Sequence, residues 1–477
     1  MVRHLNLTQI YPSAENTLLH AAYFRTLEVA GSLAVQHLNE RNSAIISDLP
    51  NQMHSCSLHL NFTTLLWESS SSSSSLAQLY RQLDNTLASP NEPQQQQQYR
   101  AWVGEVESDT TESLMFLSSA YNIPQISPSA TSRLLWNNGP TTFARTIATN
   151  EGDVLAAATY LGERLRTSHV LILAMNSPYG IGLAHGVRDA CQNQYNIQTE
   201  TIFIEQDNIQ HTLRMAQAQS EIRIIYAILS PLSFEDVMLQ ALGIGLVSQD
   251  YFWIFPGMDS LAPSSGSGRI FLSRNSERSN ALARALRGSA VIMPRYPVED
   301  PETFDNLLQD FWMDGHQKEV ENLETTPQPP LLGLYSRTTY DAVMALGIAA
   351  CQHPDNTSGT PSYFDTLLKS NFSGASGFLT FNRDDGTRIA PDLKYAVYNL
   401  WGAGEEGTVD IESRWTATVH LGGDVEPRGV VDHASFIYPD GTSTVPPPLQ
   451  QLEVDTRGHG FGVRMSVWIL AGMVLFL

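Results

Sequence analysis

From Ser168 to Phe255 the chain alternates short apolar runs with longer amphipathic segments, and that alternation limits the fold more than any other feature. Ser168–Met175 (SHVLILAM), Gln198–Ile204, Ile222–Leu229 (IRIIYAIL) and Tyr251–Phe255 (YFWIF) read as strands. Between them, residues 182–194, 208–218 and 233–243 read as helices. Strands separated by a helix's length of chain pair through crossovers rather than hairpins, which gives a parallel, doubly wound sheet. The first half follows the same rule. Residues 5–10 read as a strand, 16–40 as a helix, Arg100–Val103 as a short strand and 110–121 as a helix. With 477 residues there is chain enough for two such α/β lobes and a tail.

The charge balance excludes one broad class. There are 28 basic and 49 acidic residues, a formal net charge of −21, and no basic run of five or more. Such a surface repels phosphate backbones, so no nucleic-acid partner is expected. Enzyme signatures are also missing. The sequence has no P-loop, HExxH or GxSxG pattern, and its 13 histidines lack metal-ligand spacing, so neither a catalytic residue, a metal nor a cofactor is expected. Gly180-x-Gly182-x-x-x-Gly186, with Glu200 beyond it, imitates a dinucleotide fingerprint, but its glycine spacing is off by one. The three cysteines, Cys56, Cys191 and Cys351, leave open a free thiol, a bond to a second chain, or buried thiols acting as small apolar groups at Cys191 and Cys351.

Seven serines (Ser69–Ser75) and five glutamines (Gln94–Gln98) read as solvated insertions. Four glycosylation sequons occur, at Asn6, Asn61, Asn356 and Asn371. No signal-peptide h-region precedes the first strand. Residues 441–462 read as a linker. Residues 463–477 end in an apolar run short of the ~20 residues a bilayer requires. Three readings of that run are open: a truncated transmembrane helix, a cleaved lipid-anchor signal, or an apolar tail. The first is favoured, with the leader missing as well.

Residues 119–150 carry the candidate site. Ile123-Pro124-Gln125-Ile126 reads as the end of a buried strand, followed by hydroxyls at Ser127, Ser129, Thr131 and Ser132 and then a short helical stretch. A polar loop opening a helix presents free N–H groups and a positive dipole end, which suit a carboxylate. Other segments fall in a recognisable order: Ala34-Val35-Gln36-His37-Leu38-Asn39, Val103-Gly104-Glu105, Ser177-Pro178-Tyr179-Gly180, Arg287-Gly288-Ser289-Ala290-Val291, Tyr340-Asp341-Ala342-Val343, and Phe372-Ser373-Gly374-Ala375-Ser376-Gly377 with Phe381-Asn382. Together they resemble the Venus-flytrap ligand-binding domain, the type I periplasmic-binding-protein fold found in class C G-protein-coupled receptors, natriuretic-peptide receptors and glutamate receptors.

That resemblance implies two lobes with three crossings near residues 147, 290 and 375. Lobe I would comprise 1–146 plus 291–374, and lobe II 147–290 plus 375–440. It implies a small-molecule ligand in the interlobe cleft, held by Ser108, Ser129 and Thr131 of lobe I and by Asn150 and Tyr179 of lobe II. In amino-acid receptors of this family two acids and a lysine complete the site. Here those positions hold Asn150, Gly257 (with Asp259 two residues on) and Tyr335, while Glu107 and Asp109 flank Ser108. A diacid ligand is thereby disfavoured. The resemblance further implies a homo- or heterodimer through lobe I, an extracellular location and membrane attachment through the C-terminal segment. A receptor guanylate cyclase ectodomain and a free solute-binding protein share the same fold.

Overall fold

The computed structural model describes residues 2–13, 20–54, 56–68, 77–83, 98–136, 142–205, 208–219, 222–262, 267–271, 277–320, 332–353, 362–402, 410–422 and 428–445. The serine run, the glutamines before Gln98, the sequon at Asn356, the linker beyond residue 445 and the terminal apolar run lie outside the described residues. Among the described residues no helix is long and apolar enough to cross a membrane.

Two sheets organise the molecule as two α/β lobes. In the first, β1 (Val2–Ser13), β2 (Ser57–Glu68), β3 (Gln98–Val103), β4 (Gln125–Ser127) and β5 (Phe143–Arg145) pair in the order β2-β1-β3-β4-β5, all parallel. Helix α1 (His20–Glu40) lies on this sheet, and α2 (Ser108–Ala120) connects β3 to β4. The second sheet holds β6 (His169–Met175), β7 (Gln198–Ile204), β8 (Ile224–Ile228), β9 (Phe252–Pro256), β10 (Ser267–Phe271) and β11 (Ala290–Arg295). Its helices are α3 (Glu151–Thr159), α4 (Pro178–Tyr195), α5 (Ile209–Gln217), α6 (Phe234–Gly243) and α7 (Glu277–Leu286). Strands β6 to β9 pair in parallel, and β11 pairs in parallel with β9.

Both faces of the second sheet are covered. Leu171, Leu173 and Met175 enter one core, while Val170, Ile172 and Ala174 enter the other. This is why the strand reads as a continuous apolar run rather than an alternating one. The far edge departs from a purely parallel sheet. There β14 (Lys394–Gly402) runs antiparallel to β11, and β15 (Asp410–His420) antiparallel to β14, with β10 and β16 (Gly429–Asp432) antiparallel to β15.

The chain returns to the first lobe through α8 (Pro301–Val320) and α9 (Leu334–Gln352). Every residue of α9 from Tyr335 to Cys351 is buried, because α1, the first sheet and the hairpin β12 (Asn371–Gly374)–β13 (Gly377–Thr380) enclose it. The apolar side chains of α1 pack largely against α9, α8 and β2.

Two of the three crossings come later in the chain than expected. The first spans residues 146–150, between β5 and α3. The one expected near 290 follows Arg295, because β11 is held between β9 and β14. The one expected near 375 falls after Phe381, because Phe372, Ala375, Leu379 and Phe381 belong to the first lobe's core. Buried arginines fasten this region. Arg388 donates to the carbonyls of Thr146, Ser376 and Phe378 and stacks on the Tyr296 ring, 3.8 Å to its centroid. Asp341 accepts from the backbone of Ala375 and Ser376, so the Tyr-Asp-Ala-Val and Phe-x-Gly segments form one hydrogen-bonded unit.

The cysteine alternatives are resolved. Cys56, just ahead of β2, forms a disulfide with Cys351 in α9, with their Cα atoms 5.3 Å apart, and Cys191 is a buried free thiol. The buried-thiol reading of Cys351 is thus incorrect. A 295-residue separation hid the partner from sequence reasoning. Of the sequons, Asn6 and Asn61 sit opposite one another on β1 and β2 with their side chains hydrogen-bonded at 2.8 Å, and Asn371 is exposed at the start of β12.

Candidate functional site: the interlobe cleft

The hydroxyl loop after β4 is built from within lobe I. Gly104 has φ +121°, and a Cβ there would lie 2.2 Å from the Ile10 carbonyl, so glycine is required where β3 turns toward α2. This turn brings residues 105–109 beneath the loop. Ser127 Oγ donates to the Glu105 carbonyl (2.7 Å) and accepts from Ala130 N–H (3.0 Å). Ser129 Oγ donates to the Val106 carbonyl (2.9 Å), and Ser108 Oγ accepts from Ser132 N–H (3.2 Å). The loop therefore staples itself to residues 105–108.

One part of the sequence reading is corrected at this point. The described segment after the hydroxyls is a four-residue 3-10 turn, Arg133–Trp136, rather than an α-helix whose N-terminus could supply positive charge. Arg145 supplies it instead. Its guanidinium is buried under the loop and donates to the carbonyls of Ala130 (3.2 Å) and Ser132 (2.8 Å) and to Thr387 Oγ1 (3.0 Å). Desolvation lowers its pKa to about 10, which leaves it a cation at neutral pH.

Of the five expected ligand residues, the structure brings two into contact across the lobes. Asn150 begins α3, and its N–H donates to the Thr131 carbonyl (2.9 Å). Ser108, Ser129, Thr131 and Asn150 are buried, and Tyr179 is half-buried.

Sequence reasoning put Glu107, Asp109 and Asp259 beside the site but did not foresee that they bridge the lobes. Asp109, in the first turn of α2, accepts from Tyr179 N–H (3.1 Å), and so sits at the N-terminus of lobe II's α4. Asp259, beyond β9 in lobe II, accepts from the N–H groups of Leu334 (2.6 Å) and Tyr335 (3.0 Å), at the N-terminus of lobe I's α9. Each lobe thus places an acid at a helix start of the other, where the dipole favours negative charge. Glu107 accepts from Ser230 Oγ (2.7 Å) in lobe II. The fingerprint-like glycines of α4 serve packing: a Cβ at Gly180 would lie 2.1 Å from the Met175 carbonyl.

A fourth acid, Asp153 in the first turn of α3, is buried and hydrogen-bonds Tyr395. Tyr179, Tyr226, Tyr335 and Tyr395 all feel its charge, and the buried Tyr226 hydroxyl has no hydrogen-bond partner among the described residues. Enclosure by protein raises the pKa of Glu107, Asp153 and Asp259 to about 7 each, that of Glu105 to about 8, and that of Asp109 above its ordinary value. An acid in a helix's first turn is an ordinary helix-start signal, so nothing local marked Asp153 as a cleft residue.

Comparisons with known proteins agree with this architecture. The family described as "Receptor family ligand binding region" matches residues 30–402. No curated protein matches the chain in sequence. Among solved structures, the leucine-binding protein LivK of Thermotoga maritima MSB8 is 15% identical with a TM-score of 0.58, over 87% of this chain and 99% of that one. An ABC-transporter substrate-binding protein of Desulfitobacterium hafniense in complex with Leu is 15% identical with a TM-score of 0.54, over 86% and 99%. A solute-binding protein of Rhodopseudomonas palustris BisB5 in complex with 3,4-dihydroxybenzoic acid is 12% identical with a TM-score of 0.58, over 88% and 99%. At these identities the likeness is one of fold, and the relatives are ligand-binding proteins rather than enzymes.

Proposed function

The chain belongs to the receptor-family ligand-binding regions, and from that premise we propose that it is the extracellular ligand-binding part of a membrane receptor that signals by clamshell closure on an amino-acid-like ligand. The observation that carries the ligand class is the polarity of the cleft. A hydroxyl loop backed by the Arg145 cation lies on the lobe I side. The carboxylates of Asp109 and Asp153 lie toward lobe II's Tyr179. A zwitterion fits that polarity, with its carboxylate toward Thr131 and, once the Ser129 hydroxyl turns from the Val106 carbonyl, toward Ser129, and with its ammonium toward the acids. Ser108 and Asn150 hold the two walls in register.

Glu107 and Asp109 of lobe I and Asp153 of lobe II add negative charge near the cleft, so a neutral or cationic amino acid is favoured over a diacid. The Cys56–Cys351 disulfide supports an oxidising, extracellular compartment. Dimerisation through lobe I belongs to the same reading, with Phe116 and Tyr121 at the end of α2 as exposed apolar groups available to it.

Calorimetric titration against a panel of the common amino acids tests the ligand class. Saturable heat from neutral or basic members, and none from glutamate, is expected. Preference for glutamate overturns the charge argument, and silence from every member overturns the amino-acid reading. Genomic sequence beyond Leu477 separates the receptor from its alternatives. Seven membrane helices support it, whereas one helix with a cyclase module, or a stop codon, makes it a guanylate cyclase ectodomain or a free binding protein.

A further inference from the structure

A second cavity lies at the hinge, of about 180 Å³. Its walls come from both lobes and from the connection between them. Met293, Arg295 and Tyr398 belong to lobe II's sheet, Leu334, Arg337 and Ser376 to lobe I's elements, and Tyr296 to Val298 form the second crossing. We propose that this hinge cavity is a regulatory site for a small aromatic carboxylate, separate from the interlobe ligand site and coupled to closure.

Size, lining and charge each contribute. An apolar cavity near 150 Å³ accommodates benzene, so ~180 Å³ takes one ring with a small substituent. The lining is suited to a ring: Met293, Pro294, Pro297 and Val298 are apolar, and Tyr296 and Tyr398 present aromatic surface. The charged groups are Arg295, Arg337 and Asp259, a net positive set. Asp259 already receives two backbone N–H groups, and Arg337 is engaged with Asp305 and with the carbonyls of Pro301 and Ala375. Arg295 stacks on Trp415 (4.0 Å to the ring centroid), which orients its planar fork while leaving donors for a carboxylate.

Coupling follows from the placement. The walls belong to two bodies that move relative to one another when a clamshell opens, and Asp259 both lines the cavity and bonds α9. A ligand shaped for this cavity binds the closed arrangement better than the open one and shifts the population toward it.

Titration of the full chain with benzoate, benzamide and benzylammonium, read by calorimetry and small-angle scattering, tests the proposal. Benzoate should saturate with a fall in radius of gyration, benzamide should bind at least about tenfold more weakly, and benzylammonium should not bind. Arg295→Ala should weaken benzoate at least about tenfold. Val298→Phe, which fills the cavity, should abolish binding without lowering the melting temperature, and decides the matter if the arginine variant fails to fold. Tyr179→Ala, which alters the cleft wall, should leave benzoate binding saturable and change its affinity far less than Arg295→Ala does. Equal affinity for the three probes, no saturation at millimolar benzoate, or loss of benzoate binding in Tyr179→Ala each overturns the site. Binding without a change in radius of gyration overturns the coupling.

Discussion

Reducing the Cys56–Cys351 disulfide should cost more stability than any single side-chain truncation in lobe I. The bond closes a loop with a sequence separation of 295 residues. The chain-entropy relation assigns such a loop about 19 cal/mol/K, or about 5.7 kcal/mol at 25 °C. If lobe II stays folded while lobe I opens, the freed chain is roughly 145 residues and the figure falls only to about 5 kcal/mol, because the dependence on length is logarithmic. Measured disulfides deliver less than this ceiling, so we expect a loss of about 3–5 kcal/mol. Urea unfolding of the native protein, of the protein in a thiol reductant, and of a Cys56→Ala/Cys351→Ala variant measures it. The reduced and variant proteins should share one lowered midpoint, and a Cys191→Ala control should respond to reductant as the native protein does. A midpoint shift below about 1 kcal/mol would show that the bond does not constrain the unfolded chain, and would refute the loop argument.

Thr131→Val and Tyr179→Phe each remove one hydroxyl from the facing walls of the cleft. A double-mutant cycle on ligand affinity should return a coupling of about 0.5–1.5 kcal/mol, and additive effects would mean that the two hydroxyls do not act on the ligand together. Ser129→Ala should lower unfolding stability by about 1–2 kcal/mol, read by chemical denaturation, because it leaves the Val106 carbonyl without its partner; an unchanged midpoint would mean that the staple is absent in solution. Carboxyls whose pKa is higher folded than unfolded take up protons on folding. Their contribution is present in full below about pH 4 and is lost as pH rises toward 7 or 8. Glu105, Glu107, Asp153 and Asp259 are such groups, so stability should fall between pH 5 and 8, by up to about 1.4 kcal/mol per pH unit for each group. Melting curves should show Asp153→Asn and Asp259→Asn with a flatter pH dependence, and parallel curves would assign the trend to net charge instead.

Legibility in the sequence followed burial. β7, apolar in enough positions and bounded by polar residues, was read at its true ends, Gln198–Ile204. β2 was not read from the sequence, because its register with β1, not a strong local pattern, makes it a strand. The antiparallel edge of the second sheet was missed for a related reason. Local apolarity reports that a strand is buried, while its direction depends on where the chain re-enters the sheet. The hydroxyl loop was found by its composition, but its positive partner was misassigned to a helix start, since Arg145 reaches the loop only through the fold.

The sequence by itself determined the lobes' parallel α/β construction, the family and the loop that forms one wall of the cleft. The construction and the loop rest on hydrophobic periodicity and local composition, which act between residues close in sequence, and the family rests on the resemblance of its short motifs. Tertiary structure alone decided that Cys56 meets Cys351, that the crossings follow Arg295 and Phe381, and that Asp109 and Asp259 each bond a helix of the opposite lobe. Those contacts join residues about 70 to 300 positions apart, and their energy comes from desolvation, dipole alignment and loop closure, quantities that exist only once two surfaces have been brought together.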